Sequence, residues 1–270
     1  MRPVWKGAIS FGLVHIPIKL YPATSHKDIK FNYLHKEDMT PIKYKKHCPA
    51  CSKDLEADEI VRGYEYESGK YVVLTDEDFE KIPLETTKSI NIINFVNLSE
   101  VDPVYFDKSY YLAPNEGGQK AFELLRQAIE ETGKVAIAKV VIRSKETLSA
   151  IRVKGSDIVM ETMFYPDEIR NTAGIPELSY NVKIHENELK MAVNLITSLS
   201  EAFEPEKYSN DYRDALMELI QSKITGQEVE TPQKLYEGNV VDLMEALRAS
   251  IKMAKDGKKV EKSREKRNTS

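Results

Sequence analysis

Two cysteines three positions apart, in His47-Cys48-Pro49-Ala50-Cys51, are the residues of this chain best suited to chemistry. A Cys-x-x-Cys knuckle supplies two thiolates to zinc, but a structural zinc takes four ligands and the chain has only these two cysteines. The same knuckle of a second protomer could complete the set, as could His47 with a distant residue. A reactive thiol pair and two plain loop cysteines are the other readings. No cofactor is expected. Gly7-Ala8-Ile9-Ser10-Phe11-Gly12 has the glycine spacing of a P-loop, yet Leu13 and Val14 stand where Lys and Ser/Thr would meet phosphate and magnesium. No H-E-x-x-H, G-x-G-x-x-G or G-x-S-x-G pattern occurs, and the five histidines, His15, His26, His35, His47 and His185, lack ligand spacing. Asp76 and Asp78 could bind magnesium in a nuclease, but acids after Thr75 are equally what opens a short helix. The chain is therefore expected not to be an enzyme.

Basic residues carry the next signal. Lys43 and Lys45 share one face if 41–47 is a strand, with Lys46 beside them. Arg62, Lys139, Arg143, Lys145, Arg152 and Lys154 fall on or beside expected strands and read as having no obvious acidic partner along the chain. With Lys145 in a turn, the strands around it make a ribbon that is basic on one side, suited to gripping phosphates and poor at reading bases. The bland alternative is lysines on a solvated face. A net charge of -4 argues against a nucleic-acid partner until its distribution is read. Residues 1–53 carry +7, 54–133 carry -11, 134–154 carry +5, 155–251 carry -10 and 252–270 carry +5. A protein that approaches a polyanion along one surface while staying soluble elsewhere needs such segregation.

The elements that must position these residues are mostly strands. Val4 to Pro22 is rich in β-branched and aromatic residues, with Gly7 and Gly12 marking a bulge or tight bend. Further strands are expected at 31–35, 41–47, 60–66, 70–75, 89–96, 104–113, 135–143, 148–155 and 157–165, joined as hairpins by turns at 67–70 and 144–146. Ten or so short strands point to a barrel or sandwich. One helix interrupts them at 119–132 and ends on Gly133, and two more follow at 187–203 and 209–226, the last capped by Ser209 or Asn210. Residues 227–238 read as a linker. A further helix at 239–256 carries the apolar stripe Val240, Leu243, Met244, Leu247 and Ile251, a face for a partner or for its own core. The tail, 257–270, is basic, includes Lys258 and Lys259, and holds a single large apolar residue, so it is expected to be disordered. No apolar run is long enough for a bilayer and no signal peptide opens the chain. No membrane is expected, and two cysteines agree with a reducing cytoplasm.

Four stretches add a resemblance. VWKGAISFGLVHIPIKLYPAT at 4–24, VRGYEYESGKYVVLTDEDFEKI at 61–82, VDPVYFDKSYYLAP at 101–114 and the C-terminal third closely resemble prokaryotic Ku, over about residues 2–256. The resemblance implies an α+β, mainly β fold: a Ku-core β-barrel with a bridging arm that forms a dimeric ring, followed by C-terminal helices. It implies a core at 1–226, a linker at 227–238, a candidate ligase dock at 239–256 and a tail at 257–270. It also implies a homodimer that threads onto linear double-stranded DNA ends without sequence preference, acts in bacterial non-homologous end joining, and recruits and stimulates DNA ligase D. The expected location is the cytoplasm, at the nucleoid. Within such a ring Lys43, Lys45 and the bases at 139–154 are candidates for the inner lining, on charge pattern alone. A metal-dependent nuclease and a protein-only scaffold are the rival readings.

Overall fold

Alternation builds the first hairpin. In β1 (Trp5–Phe11) Ile9 is buried, and in β2 (Val14–Pro22) Ile16, Ile18 and Leu20 are buried at every second position, so one face of each strand turns inward. Gly12 makes the turn with φ +57°, a left-handed conformation that suits glycine. At Gly7 the constraint is space instead, since a Cβ there would collide with the Trp5 ring and the Lys88 carbonyl. Glycine thus permits β1 to approach the segment beside it.

The computed structural model describes residues 1–81, 88–142, 145–226, 247 and 250–252. After the first hairpin come two short ribbons, β3 (His47–Cys48) with β4 (Lys53–Asp54) and β5 (Arg62–Glu67) with β6 (Lys70–Leu74), then the short helix α1 (Asp76–Glu80). The chain then returns in β7 (Ser89–Asn97) and β8 (Phe106–Pro114), crosses α2 (Gln119–Thr132), and finishes the wall with β9 (Lys134–Ile142), β10 (Lys145–Lys154) and β11 (Asp157–Met163). Seven strands close a barrel in the order β1-β2-β8-β11-β10-β9-β7. Its neighbours pair antiparallel except at the closing seam, where β1 and β7 run parallel with Ile9 opposite Ile90.

Inside the barrel Ile9, Ile18, Leu20, Ile90, Ile151, Ile158 and Met160 are fully buried, each contributing about 1.5–3 kcal/mol. Phe122, Leu125 and Ile129 of α2 join that core from one helix face, and α2 ends, as its sequence predicts, on Gly133 with φ +62°. A smaller cluster on the opposite face of the wall gathers Val135, Ala150 and Met163 beneath Val101, Tyr105 and Phe106. The fold is thus a mainly β, α+β barrel with added helices.

Two expectations change. The strands foreseen at 31–35 and 41–47 reduce to one bridge, Leu34 opposite Pro41, with residues 42–46 irregular. Neither stretch has a second neighbour to extend a ladder, and Pro41 offers no N–H. Lys43 and Lys45 therefore do not share a strand face. The ten or so strands also do not make one sheet, because four of them stand in separate two-stranded ribbons.

The chain divides into two compact units, Met1–Asn171 and Thr172–Ser270. In the second, α3 (Glu186–Leu199) opens where the Glu188 carboxylate accepts the His185 N–H at 2.8 Å. The next helix, α4 (Asp211–Thr225), opens on Asn210, whose side chain accepts the Arg213 N–H at 3.0 Å, and stops at Gly226 with φ +72°. Leu189, Val193 and Ile196 form an apolar stripe on α3 that is half or more exposed. Leu247, Ser250, Ile251 and Lys252 are helical. The rest of the foreseen stripe, Val240, Leu243 and Met244, lies outside the described residues, as do the linker, Lys258 and Lys259.

Candidate nucleic-acid interface

The foreseen basic ribbon is present as strands, but Lys139, Lys145 and Arg152 each face an acid. Antiparallel pairing of β9 with β10 sets Lys139 opposite Leu148, two residues from Glu146 on the same face, and Lys139 Nζ lies 3.1 Å from the Glu146 carboxylate. Arg152 on β10 reaches across to β11 and grips Glu161 with two N–H donors, the Nε bond being 2.9 Å. Glu161 is buried, so this bidentate pair satisfies a carboxylate that would otherwise be costly to bury, and it holds the guanidinium firmly protonated. Lys145 lies 3.2 Å from Glu168, whose carboxyl is held below the usual range by the Tyr165 backbone N–H and then by Lys145. Beside them the Tyr165 hydroxyl is pushed up by burial and by Glu146, to which it donates at 3.2 Å.

The same holds nearer the amino terminus. Lys45 Nζ lies 2.7 Å from Asp54, which also meets His47 at 3.1 Å, and these two partners lower the Asp54 carboxyl. Arg62 sits 3.4 Å from Asp76 and 5.2 Å from the centre of the Phe79 ring, joining β5 to the start of α1. The reading that these bases lack acidic partners is therefore corrected. Glu146 and Glu161 reach Lys139 and Arg152 across strands, while Asp54, Asp76 and Glu168 meet Lys45, Arg62 and Lys145 outside any shared ladder. Among the described residues, Lys43, Lys46 and Lys154 keep no ion pair, and Arg143 lies outside them.

Sequence reasoning missed a pair of bases that the fold brings together. Lys6 on β1 stands directly opposite Lys19 on β2, and among the described residues neither has an ion-pair partner. Ile9, Ile18 and Leu20 face the core, so both ammonium groups lie on the outside of the wall. Two like charges directly across a ladder repel, a cost that an anion between them would remove. The signal was available: in a hairpin turning at Gly12-Leu13, positions 6 and 19 are mirror partners.

The acids suspected of holding magnesium are occupied locally. Asp78 accepts the Thr75 N–H at 2.9 Å and its hydroxyl at 2.8 Å, closing the first turn of α1, and both bonds lower its carboxyl. Among the described residues no three His, Cys, Asp or Glu side chains gather as a metal site, and no helix is long and apolar enough to cross a membrane.

The family model described as the Ku70/Ku80 beta-barrel domain matches residues 10–191 of this chain. The chain belongs to the Ku family. A Ku relative in Symbiobacterium thermophilum, named Non-homologous end joining protein Ku, is 53% identical and covers 94% of this chain. Ku proteins of the same name in Heliobacterium modesticaldum and Bacillus subtilis are 48% and 50% identical, covering 97% and 93% of this chain. The chain spans 63% of the length of the first relative, 95% of the second and 82% of the third. The SPOC domain of human PHD-finger protein 3 has a TM-score of 0.30 at 12% identity, covering 60% of this chain and 95% of its own, and adds nothing to the assignment.

Proposed function

We propose that this chain binds the ends of double-stranded DNA in bacterial non-homologous end joining, as a homodimeric ring that threads onto a linear duplex. The observation that carries the reading is membership of the Ku family, with relatives near half identity named for that process over nearly the whole chain. Two features of the fold support it. The lysines without acidic partners among the described residues, including Lys6, Lys19, Lys43, Lys46 and Lys154, can neutralise phosphates, which grips any sequence equally. The open stripe of Leu189, Val193 and Ile196 is a surface that a second copy would cover. The protein acts by holding and recruiting rather than by breaking bonds, in the cytoplasm at the nucleoid.

The test is competition between linear and covalently closed forms of one DNA fragment. The linear form wins, and its binding weakens steeply with salt; equal affinity for the circle would end the threading model. The segment 239–256, with Leu243 and Leu247, recruits and stimulates DNA ligase D. Polar substitutions at both positions abolish ligase stimulation and spare end binding, and loss of folding instead would assign the stripe to the protein's own core.

A further inference from the structure

Cys48 and Cys51 sit at the tip of a ribbon built like a metal knuckle. Cys48 ends β3, the turn runs through Pro49 and Ala50, and β4 begins at Lys53. Ser52 takes φ +54°, which bends the chain back directly after the second cysteine. Only Pro49 and Ala50 separate the two cysteines, so one tight loop at the end of the ribbon carries both sulfurs. Both cysteines are free, Cys51 exposed and Cys48 half-buried.

This arrangement offers two ligands and needs two more. The chain has no other cysteine, and among the described residues no third His, Cys, Asp or Glu joins the pair. His47 precedes Cys48 on the strand and so projects to the other face of the ribbon, where its Nδ1 meets Asp54. A second copy supplies what is missing without any new residue type. A tetrahedron has a two-fold axis that exchanges one pair of its corners with the other pair, so two identical knuckles meeting on a dimer axis present four sulfurs in the geometry zinc takes. The charge also fits. Four thiolates around one zinc carry two net negative charges, and Lys53, directly opposite Cys48 in the ladder and on the same face, brings one ammonium from each copy.

We infer that Cys48 and Cys51 form half of a structural zinc site that is completed by the same two cysteines of a second copy. The inference rests on the homodimer proposed above, and its test separates the two. Full-length protein, produced with zinc supplied, is assayed for metal content and for mass by sedimentation, and its cobalt-substituted form for the intense visible absorption of a tetrahedral tetrathiolate. The expected result is a dimer with about one zinc per two chains, a tetrathiolate cobalt spectrum, and loss of both metal and spectrum in Cys48→Ser. A dimer without zinc, or with one zinc per chain, overturns the shared site and leaves the dimer standing. A monomer overturns the dimer itself and the shared site with it. The metal and cobalt readings on the unsubstituted protein decide the matter even if Cys48→Ser fails to fold.

Discussion

The barrel wall and the excursion between β2 and β7 use similar residues to opposite effect. In the wall Ile18, Ile151 and Met160 are fully buried, whereas Tyr64, Tyr66 and Tyr71 in the β5–β6 ribbon are all more than 60% exposed. Both segments have the β-branched and aromatic character of strands. The difference lies in neighbours. Every wall strand has a partner on each side and a closed interior behind it, while among the described residues β5 and β6 pair only with each other. A lone two-stranded ribbon is marginal in water, so closure favours the wall over the ribbon. Strand propensity says that a segment can pair; closure decides whether its side chains are hidden.

The sharpest way to break that comparison is a matched pair of truncations. Ile151→Ala costs about 2–5 kcal/mol in urea unfolding, while Tyr66→Ala on the ribbon of the isolated chain stays within about 0.5 kcal/mol. Equal losses would mean that the ribbon is already covered. A smaller effect separates two kinds of lysine on the wall. Replacing both Lys6 and Lys19 with Ala lowers the log-log salt slope of DNA binding by about 2, because each removes one neutralised phosphate, whereas Lys139→Ala, whose charge already offsets Glu146, leaves the slope nearly unchanged. An unaltered slope in the double variant would move the contact off this hairpin. The smallest effect is local. The Asp54 carboxyl is depressed by Lys45 and His47, so its contribution is complete above the ordinary carboxylate value and fades as pH falls through its own lower one. Acidification below about 4 should therefore loosen the β3–β4 ribbon, read as a lower protection factor, relative to the intrinsic exchange rate at each pH, for the Leu55 N–H, which bonds the Lys46 carbonyl at 2.8 Å. A protection factor that stays constant across that range would show that this pair does not hold the ribbon.

The wall was legible because its signals are local and repeated. Alternating Ile16, Ile18 and Leu20, glycine at the β1–β2 turn, and the stripe and terminal Gly133 of α2 all describe their own structure. Asn210 and Gly226 did the same for α4. The excursion was less legible, because 31–35 and 41–47 have strand composition but lack the ladder partners that would make them strands. Charge was the least legible property. Glu146 and Glu161 look like ordinary surface acids in the sequence, and only the register of β9, β10 and β11 places them against Lys139 and Arg152. The Ku resemblance, resting on long blocks such as 4–24, identified the family without depending on any of those pairings.

The order of strands around the barrel bears on how the protein is made. β8 and β10 are joined through β11, the last of the seven to be synthesised, although β1 and β2 are the first. Until Asp157–Met163 has left the ribosome, the growing chain carries two unzipped strand edges and an open greasy trough, the condition in which nascent chains stick to one another. Any stall in translation between α2 and β11 therefore prolongs the time during which those edges stay unpaired.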